Sequence, residues 1–255
     1  MGFFDGLEVV SRRKMTLFFV VDTSGSMSGS KIGTVNSVIE EVIPEIRNIS
    51  EKNADAEISI AVLEFSNGAR WETPQPMDPK DFKWNYLNAD GLTDFGEMCK
   101  CLNEKLSRKA FMGETAGAYA PAIFLLSDGE PTDDYARELQ KLQENKWFKS
   151  AIKVAIAIGE DANKQVLTEF TGHPEAVLTV HTPEALAKMI RFVSIRSSQI
   201  GSRSSGVGGA GVDQAKSKQD EMNEALADTV AADPSLGVQI GNTPSQSQDN
   251  WDDWD

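Results

Sequence analysis

The chain has 255 residues, 40% of them hydrophobic, and a formal net charge of −14. That is enough for one sizeable domain with a proper core, while the acidic balance repels phosphate backbones, disfavours nucleic acid and welcomes divalent cations and basic partner surfaces. No stretch approaches the roughly 18 unbroken apolar residues of a membrane span. The opening MGFFDGLEVVSRRK puts its basic residues after the apolar ones, the reverse of a signal peptide. A cytoplasmic protein with no membrane partner is therefore expected.

The elements read in chain order as follows. A strand covers Met15–Val21 and ends in Asp22. A helix covers Lys31–Ser50, with Ile32, Val35, Val38, Ile39, Val42, Ile43 and Ile46 on one face, and Pro44 predicts a kink or an early stop. The strand EISIAVLEFS (Glu57–Ser66) turns at Asn67-Gly68 into a strand from Ala69, which Pro74 and Pro76 confine to an edge. Then come a helix at Phe95–Ser107, a fully apolar strand at Ala122–Ser127 and a helix at Asp134–Asn145. A strand at Ile152–Ile158, a helix at Asn163–Phe170, a strand at Ala176–Val180 and a helix at Pro183–Arg196 complete the alternation. Cys99 and Cys101 fall in one helix at a spacing that points them apart, so two reduced thiols are expected.

Strands apolar on both faces and separated by helices predict an α/β fold, a doubly wound, mostly parallel sheet with one antiparallel edge strand and helices on both faces. The predicted organisation is an N-terminal segment at 1–14, a domain at 15–198 and a disordered acidic tail at 199–255. From Ile200 to Asp255 there are three Lys or Arg against ten Asp or Glu, with few large apolar residues to offset ordering entropy. Within the tail, Gln219–Val230 could form a transient helix with Met222, Leu226 and Val230 at spacing four. The tail ends in DNWDDWD, either a solubilising acidic end or a linear motif with Trp251 and Trp254 as anchors. Ser197, Ser198, Ser202, Ser204 and Ser205 are candidate phosphorylation sites.

The first strand runs straight into DTSGSMSGS, a carboxylate followed by hydroxyls. Ligands of open α/β sheets bind beyond the carboxyl ends of the strands, where the strand order reverses. Two other loops on the same rim carry oxygen donors: ADGLTD (Ala89–Asp94) offers Thr93, and SDGE (Ser127–Glu130) offers Asp128. Taken singly, each is an ordinary turn or helix cap. Asp133 and Asp134 read as first-turn helix residues, Asp94 as a helix cap, and His173 and His181 as structural or exposed.

The set Asp22-x-Ser24-x-Ser26 with Thr93 and Asp128 resembles the von Willebrand factor A domain and its metal-ion-dependent adhesion site, over roughly Met15 to Ile195. The stretches DTSGSM, GLTDFGEM and LLSDGEPTDD resemble the bacterial TerY-like proteins of tellurium-resistance and stress gene clusters. The resemblance implies Mg²⁺ (Mn²⁺ or Ca²⁺ as alternatives) held by Asp22, Ser24, Ser26, Thr93 and Asp128, at least one carboxylate acting through water. Neutral hydroxyl ligands leave a hard cation under-neutralised and attractive to a partner's carboxylate. Gly25, Gly29, Gly91 and Gly129 keep the mouth of the site open.

The function expected is therefore metal-dependent protein binding, as a scaffold in a tellurium-resistance or stress-response assembly. The partner would be a protein presenting an Asp or Glu, with an associated kinase or phosphatase. One alternative is a metal-stapled structural subunit. Another is a Mg²⁺-dependent phosphatase, but Ser24 stands where such an enzyme needs its second Asp. No phosphate-binding GxxxxGK[ST] occurs, and no His lies near a Ser or Cys nucleophile, so no enzymatic activity is expected.

Overall fold

The computed structural model describes residues 12–54, 56–112, 118–128, 130–159, 162–202 and 217–241. Strand β1 (Arg13–Asp22) leads through a single 3₁₀ turn (Gly25–Met27) into helix α1 (Ser30–Lys52). Then follow β2 (Ala56–Ser66), β3 (Gly68–Trp71) and α2 (Phe95–Lys105). The centre of the chain forms β4 (Ala122–Ser127), α3 (Ala136–Glu144), α4 (Lys146–Ser150) and β5 (Ile152–Ile158). It continues with α5 (Lys164–Thr171), β6 (Val177–Val180), α6 (Pro183–Gly201), α7 (Lys218–Ala232) and β7 (Gln239–Ile240).

The sheet order is β3-β2-β1-β4-β5-β6-β7. β2, β1, β4, β5 and β6 run parallel, and β3 and β7 are antiparallel edges. The sequence predicts only the first of these edges. β7 pairs two residues with β6 and has too little apolar periodicity to stand out. Alternation along β1 sends Leu17, Phe19 and Val21 to a core closed by α1, α6 and α7. Phe18 and Val20 face the other core, under α2, α3 and α5. β1 sits between β2 and β4, so the switch in strand order lies at its carboxyl end.

Helix α1 continues through Pro44 without a break. Pro44 lies on the exposed face, where the carbonyl that loses its intrahelical partner can reach water. The helix predicted at Asp134–Asn145 is the single helix α3, and α4, a short helix not predicted from the sequence, follows it directly. Asn145 ends α3 and caps α4, accepting from the Trp147 N–H at 2.8 Å.

Part of the expected disordered tail is ordered. Residues 217–241 carry α7 and β7, and α7 opens with a capping box between Ser217 and Asp220. Met222 and Leu226 are fully buried, which supplies the apolar contact that composition averaging over 199–255 conceals. The Gln219 side chain accepts from the Lys153 N–H at 2.8 Å and donates to the Lys153 carbonyl at 3.0 Å. It thereby takes the place of a neighbouring strand where β6 is too short to pair with β5. Ser197, Ser198 and Ser202 are fully buried. Their hydroxyls bond to Met222 Sδ, the Ser194 carbonyl and the Ser198 carbonyl, so they are not exposed phosphorylation sites. Residues 1–11, Gly129, Ser204, Ser205 and the DNWDDWD end lie outside the described residues. Both cysteines are free thiols, Cys99 buried and Cys101 half-buried.

Candidate metal centre

Asp22 is the last residue of β1 and is buried. The chain turns back on it immediately: the Ser24 N–H donates to Asp22 Oδ1 at 2.8 Å, an Asx turn. Ladder register pairs Val21 with Leu126, so the residues that follow, Asp22 and Ser127, come together. The Ser127 hydroxyl donates to Asp22 Oδ2 at 2.6 Å. Ser24 and Ser26 share a hydroxyl–hydroxyl bond of 3.0 Å, and Ser26 Oγ donates to Asp128 Oδ1 at 2.7 Å. Asp128 Oδ2 is ion-paired with Lys31 Nζ. Asp22, Ser24 and Asp128 are buried, whereas Ser26 is exposed at the mouth.

Thr93 is buried on the same rim and is brought in by backbone ties. The Asp90 N–H donates to the Thr23 carbonyl at 2.8 Å, and the Gly25 N–H to the Gly91 carbonyl at 3.0 Å. A Cβ on Gly25 would stand 3.4 Å from that carbonyl oxygen, an ordinary contact. Gly91 has φ +87°, and a Cβ there would run into the Asn67 side chain; Asn67 Oδ1 in turn accepts from the Leu92 N–H at 3.0 Å. The loop after β4 is tied in on the other side. The Thr93 N–H donates to Thr132 Oγ1 at 3.0 Å, and the Thr132 N–H to the Thr93 carbonyl at 2.9 Å. Three segments distant in sequence thus meet at one sheet rim.

Burial pushes the Asp22 carboxyl above its ordinary pKa, and the nearby Asp128 charge adds to this. The hydrogen bonds from Ser127 and Ser24 oppose the rise. Two carboxylates in such an environment, with hydroxyl oxygens beside them, form a donor set for a hard cation. The residues present therefore fit a divalent metal. No group of three His, Cys, Asp or Glu side chains gathers at a potential metal site among the described residues; this donor set depends on hydroxyls.

The residues matched by the model of the von Willebrand factor type A domain are 16–191, more than half of the chain. The chain belongs to the von Willebrand factor type A domain family. No curated protein sequence matches it. Among solved structures, a von Willebrand factor type A protein from Catenulispora acidiphila is similar at 20% identity and a TM-score of 0.53, covering 73% of this chain and 43% of that one. The mussel byssus proximal thread matrix protein 1, with a zinc-occupied MIDAS motif, is 17% identical, with a TM-score of 0.54 and coverage of 72% and 48%. The PilB minor pilin from Streptococcus sanguinis is 17% identical, with a TM-score of 0.55 and coverage of 77% and 64%. The chain spans less than two thirds of each of these structures, and the likeness is one of fold. Type A domains commonly serve as metal-dependent adhesion and protein-interaction modules. No helix of the described residues is long and apolar enough to cross a membrane.

Two residues that bond the candidate carboxylates, Ser127 and Lys31, are not singled out by the sequence pattern. Ser127 was legible in principle, because a parallel register that places Asp22 at a strand end also places the β4 terminus beside it. Lys31 had a weaker signal, a cation in the first turn of a helix where the dipole disfavours one. The acids nearby act differently from expectation. Asp133 is not a first-turn residue of α3; its Oδ2 accepts from the Gly96 N–H at 2.8 Å and caps α2. Asp94, at the N-cap position of α2, makes no side-chain cap there and instead accepts from the Gly68 N–H at 2.6 Å. His173 stands 3.4 Å from Glu175, and His181 is exposed.

Proposed function

We propose that this type A domain binds a divalent cation through Asp22, Ser24, Ser26, Thr93 and Asp128 and uses it to capture a carboxylate from a partner protein. The observation that carries the reading is that two buried carboxylates and two hydroxyls gather at one rim: the Ser24 N–H holds Asp22, the Ser24 hydroxyl meets that of Ser26, and the Ser26 hydroxyl, open to solvent, donates to Asp128. Mg²⁺ is the proposed ion, since neutral hydroxyls with few carboxylates suit a hard cation that keeps part of its water. Mn²⁺ and Ca²⁺ are alternatives, and Zn²⁺ enters through the byssus protein's zinc-occupied motif. Bound there, the ion would supply an under-neutralised positive centre for an incoming Asp or Glu.

The chain's own residues do the rest. Asp22 and Asp128 hold the negative charge, their hydrogen bonds fixing each carboxylate before any ion arrives. Ser24 and Ser26 offer hydroxyl oxygens, Ser24 buried and Ser26 at the exposed mouth. Leu92, beside Thr93 on the rim, is 57% exposed, an apolar contact ready for a docked partner. That exposure favours partner capture over a purely structural staple.

The DTSGSM, GLTDFGEM and LLSDGEPTDD stretches support a TerY-like setting, so we place the module as a non-enzymatic cytoplasmic scaffold in a bacterial tellurium-resistance or stress-response assembly with an associated kinase or phosphatase. Calorimetric titration of the full chain and of Asp22→Ala with Mg²⁺, Mn²⁺, Ca²⁺ and Zn²⁺ tests the site. Saturable one-to-one uptake by the wild type, absent from the variant, is expected. Equal uptake by both, or none by the wild type at millimolar metal, would remove the proposal.

A further inference from the structure

Lys31 stands in the first turn of α1, where the helix dipole presents its positive end and works against a cation. Its ammonium is nevertheless ion-paired with Asp128 Oδ2, while Oδ1 of the same carboxylate accepts from Ser26. The Asp128 side chain is fully buried, whereas 36% of the Lys31 side chain is exposed. Lysine is thus the half of the pair that can leave. Gly159 lies beside the ammonium, where a Cβ would make an ordinary contact at 3.8 Å, and its φ of +94° favours glycine there. With Ser24 N and Ser127 Oγ on Asp22, and Ser26 Oγ and Lys31 on Asp128, every oxygen of the two carboxylates has a partner. Lys31 is the partner that brings a full positive charge.

A divalent ion drawn to Asp128 meets this ammonium at the same carboxylate. The two cations repel and compete for one negative charge. The geometry points to Lys31 as an internal counter-cation, which neutralises Asp128 in the metal-free protein and is displaced toward solvent when metal binds. Its four-carbon stem and strongly hydrated head suit such an exit. Lys31 then sets the metal affinity of the site and keeps two buried carboxylates from facing each other uncompensated without an ion. This inference rests on the metal-binding reading of the site.

The test follows uptake of Mn²⁺ alone by the decay of its free-ion magnetic resonance signal. The full chain is compared with Lys31→Met, Lys31→Arg and Lys100→Met. Lys100 pairs with Glu97 on an exposed helix face, so its loss changes net charge equally at a remote place. Lys31→Met is expected to bind Mn²⁺ roughly tenfold more tightly, the scale of one charge–charge interaction near a protein surface. Lys31→Arg and Lys100→Met should stay near wild type. In chelator, Lys31→Met should melt below wild type, and added Mn²⁺ should close the gap; Lys31→Gln replaces it if the Met variant does not fold. Equal or weaker Mn²⁺ binding by the charge-removing variant overturns the counter-cation role and leaves the metal site standing. Absence of uptake by every form overturns both.

Discussion

Ser26 and Asp128 are 102 residues apart in the chain, yet the Ser26 hydroxyl donates to Asp128 Oδ1 over 2.7 Å. This bond closes the site, since it joins the turn after β1 to the turn after β4. Because Ser26 is exposed, Ser26→Ala removes the link at little cost to packing. Metal affinity should fall at least about 10- to 100-fold, because Ser26 is both a proposed ligand and the group that orients Asp128. The melting temperature in chelator should stay within about 2 °C of wild type. Titration calorimetry and thermal melts read the two effects separately.

Asn36 of α1 fixes the irregular segment that leads to Thr93. Its side chain donates to the Leu87 carbonyl at 2.9 Å and accepts from Trp84 Nε1 at 3.0 Å and the Leu87 N–H at 2.9 Å. Asn36→Leu would strand these buried groups and should cost about 3 kcal/mol, lowering the melting temperature by roughly 6–12 °C for a domain of this size. Urea unfolding measures the loss. Metal affinity should fall with it, because Asp90 and Gly91, which tie the Thr93 loop to the first turn, follow directly in sequence.

Helix α7 is held by two fully buried side chains, Met222 and Leu226, and by the Gln219 clamp on Lys153. Leu226→Ala should remove about 2–5 kcal/mol of packing, enough to release this outlying helix before the rest of the domain. Hydrogen exchange should show lost protection at 218–232 and at the Lys153 amide, with protection kept in β1 and β4.

Burial lowers the pKa of Lys153, whose Nζ reaches the Phe148 carbonyl at 3.2 Å. The folded state then releases the proton before the unfolded state does. Between the depressed folded value and the ordinary lysine value of about 10.4, the unfolded chain binds more protons, so stability rises with pH. Lys153→Met lacks this linkage. Denaturant melts should therefore show wild type gaining on the variant as pH climbs toward 10.

Much of the site was legible from residue types and their position at strand ends. Asp22 follows five apolar residues, Asp128 follows a fully apolar strand, and Thr93 precedes a helix. Parallel strands buried on both faces leave a strong sequence signal, which is why the central strands lie close to where the pattern puts them. The partners that act through space left little trace. Lys31 meets Asp128 across 97 residues, Asp133 caps a helix other than its own, and Asn145 ends one helix to begin another.

Periodicity and composition by themselves determined a layered α/β domain with oxygen donors at one sheet rim, because burial on both faces dictates apolar strands and turns dictate small polar residues. Only tertiary structure decided that 217–241 docks rather than dangles. Two buried side chains and one amide clamp outweigh the ordering entropy of a polar segment, and no average over the segment shows where they land. Only tertiary structure decided, too, that an ammonium pairs with Asp128, since that contact depends on how α1 leaves β1 and on where β4 ends beside it.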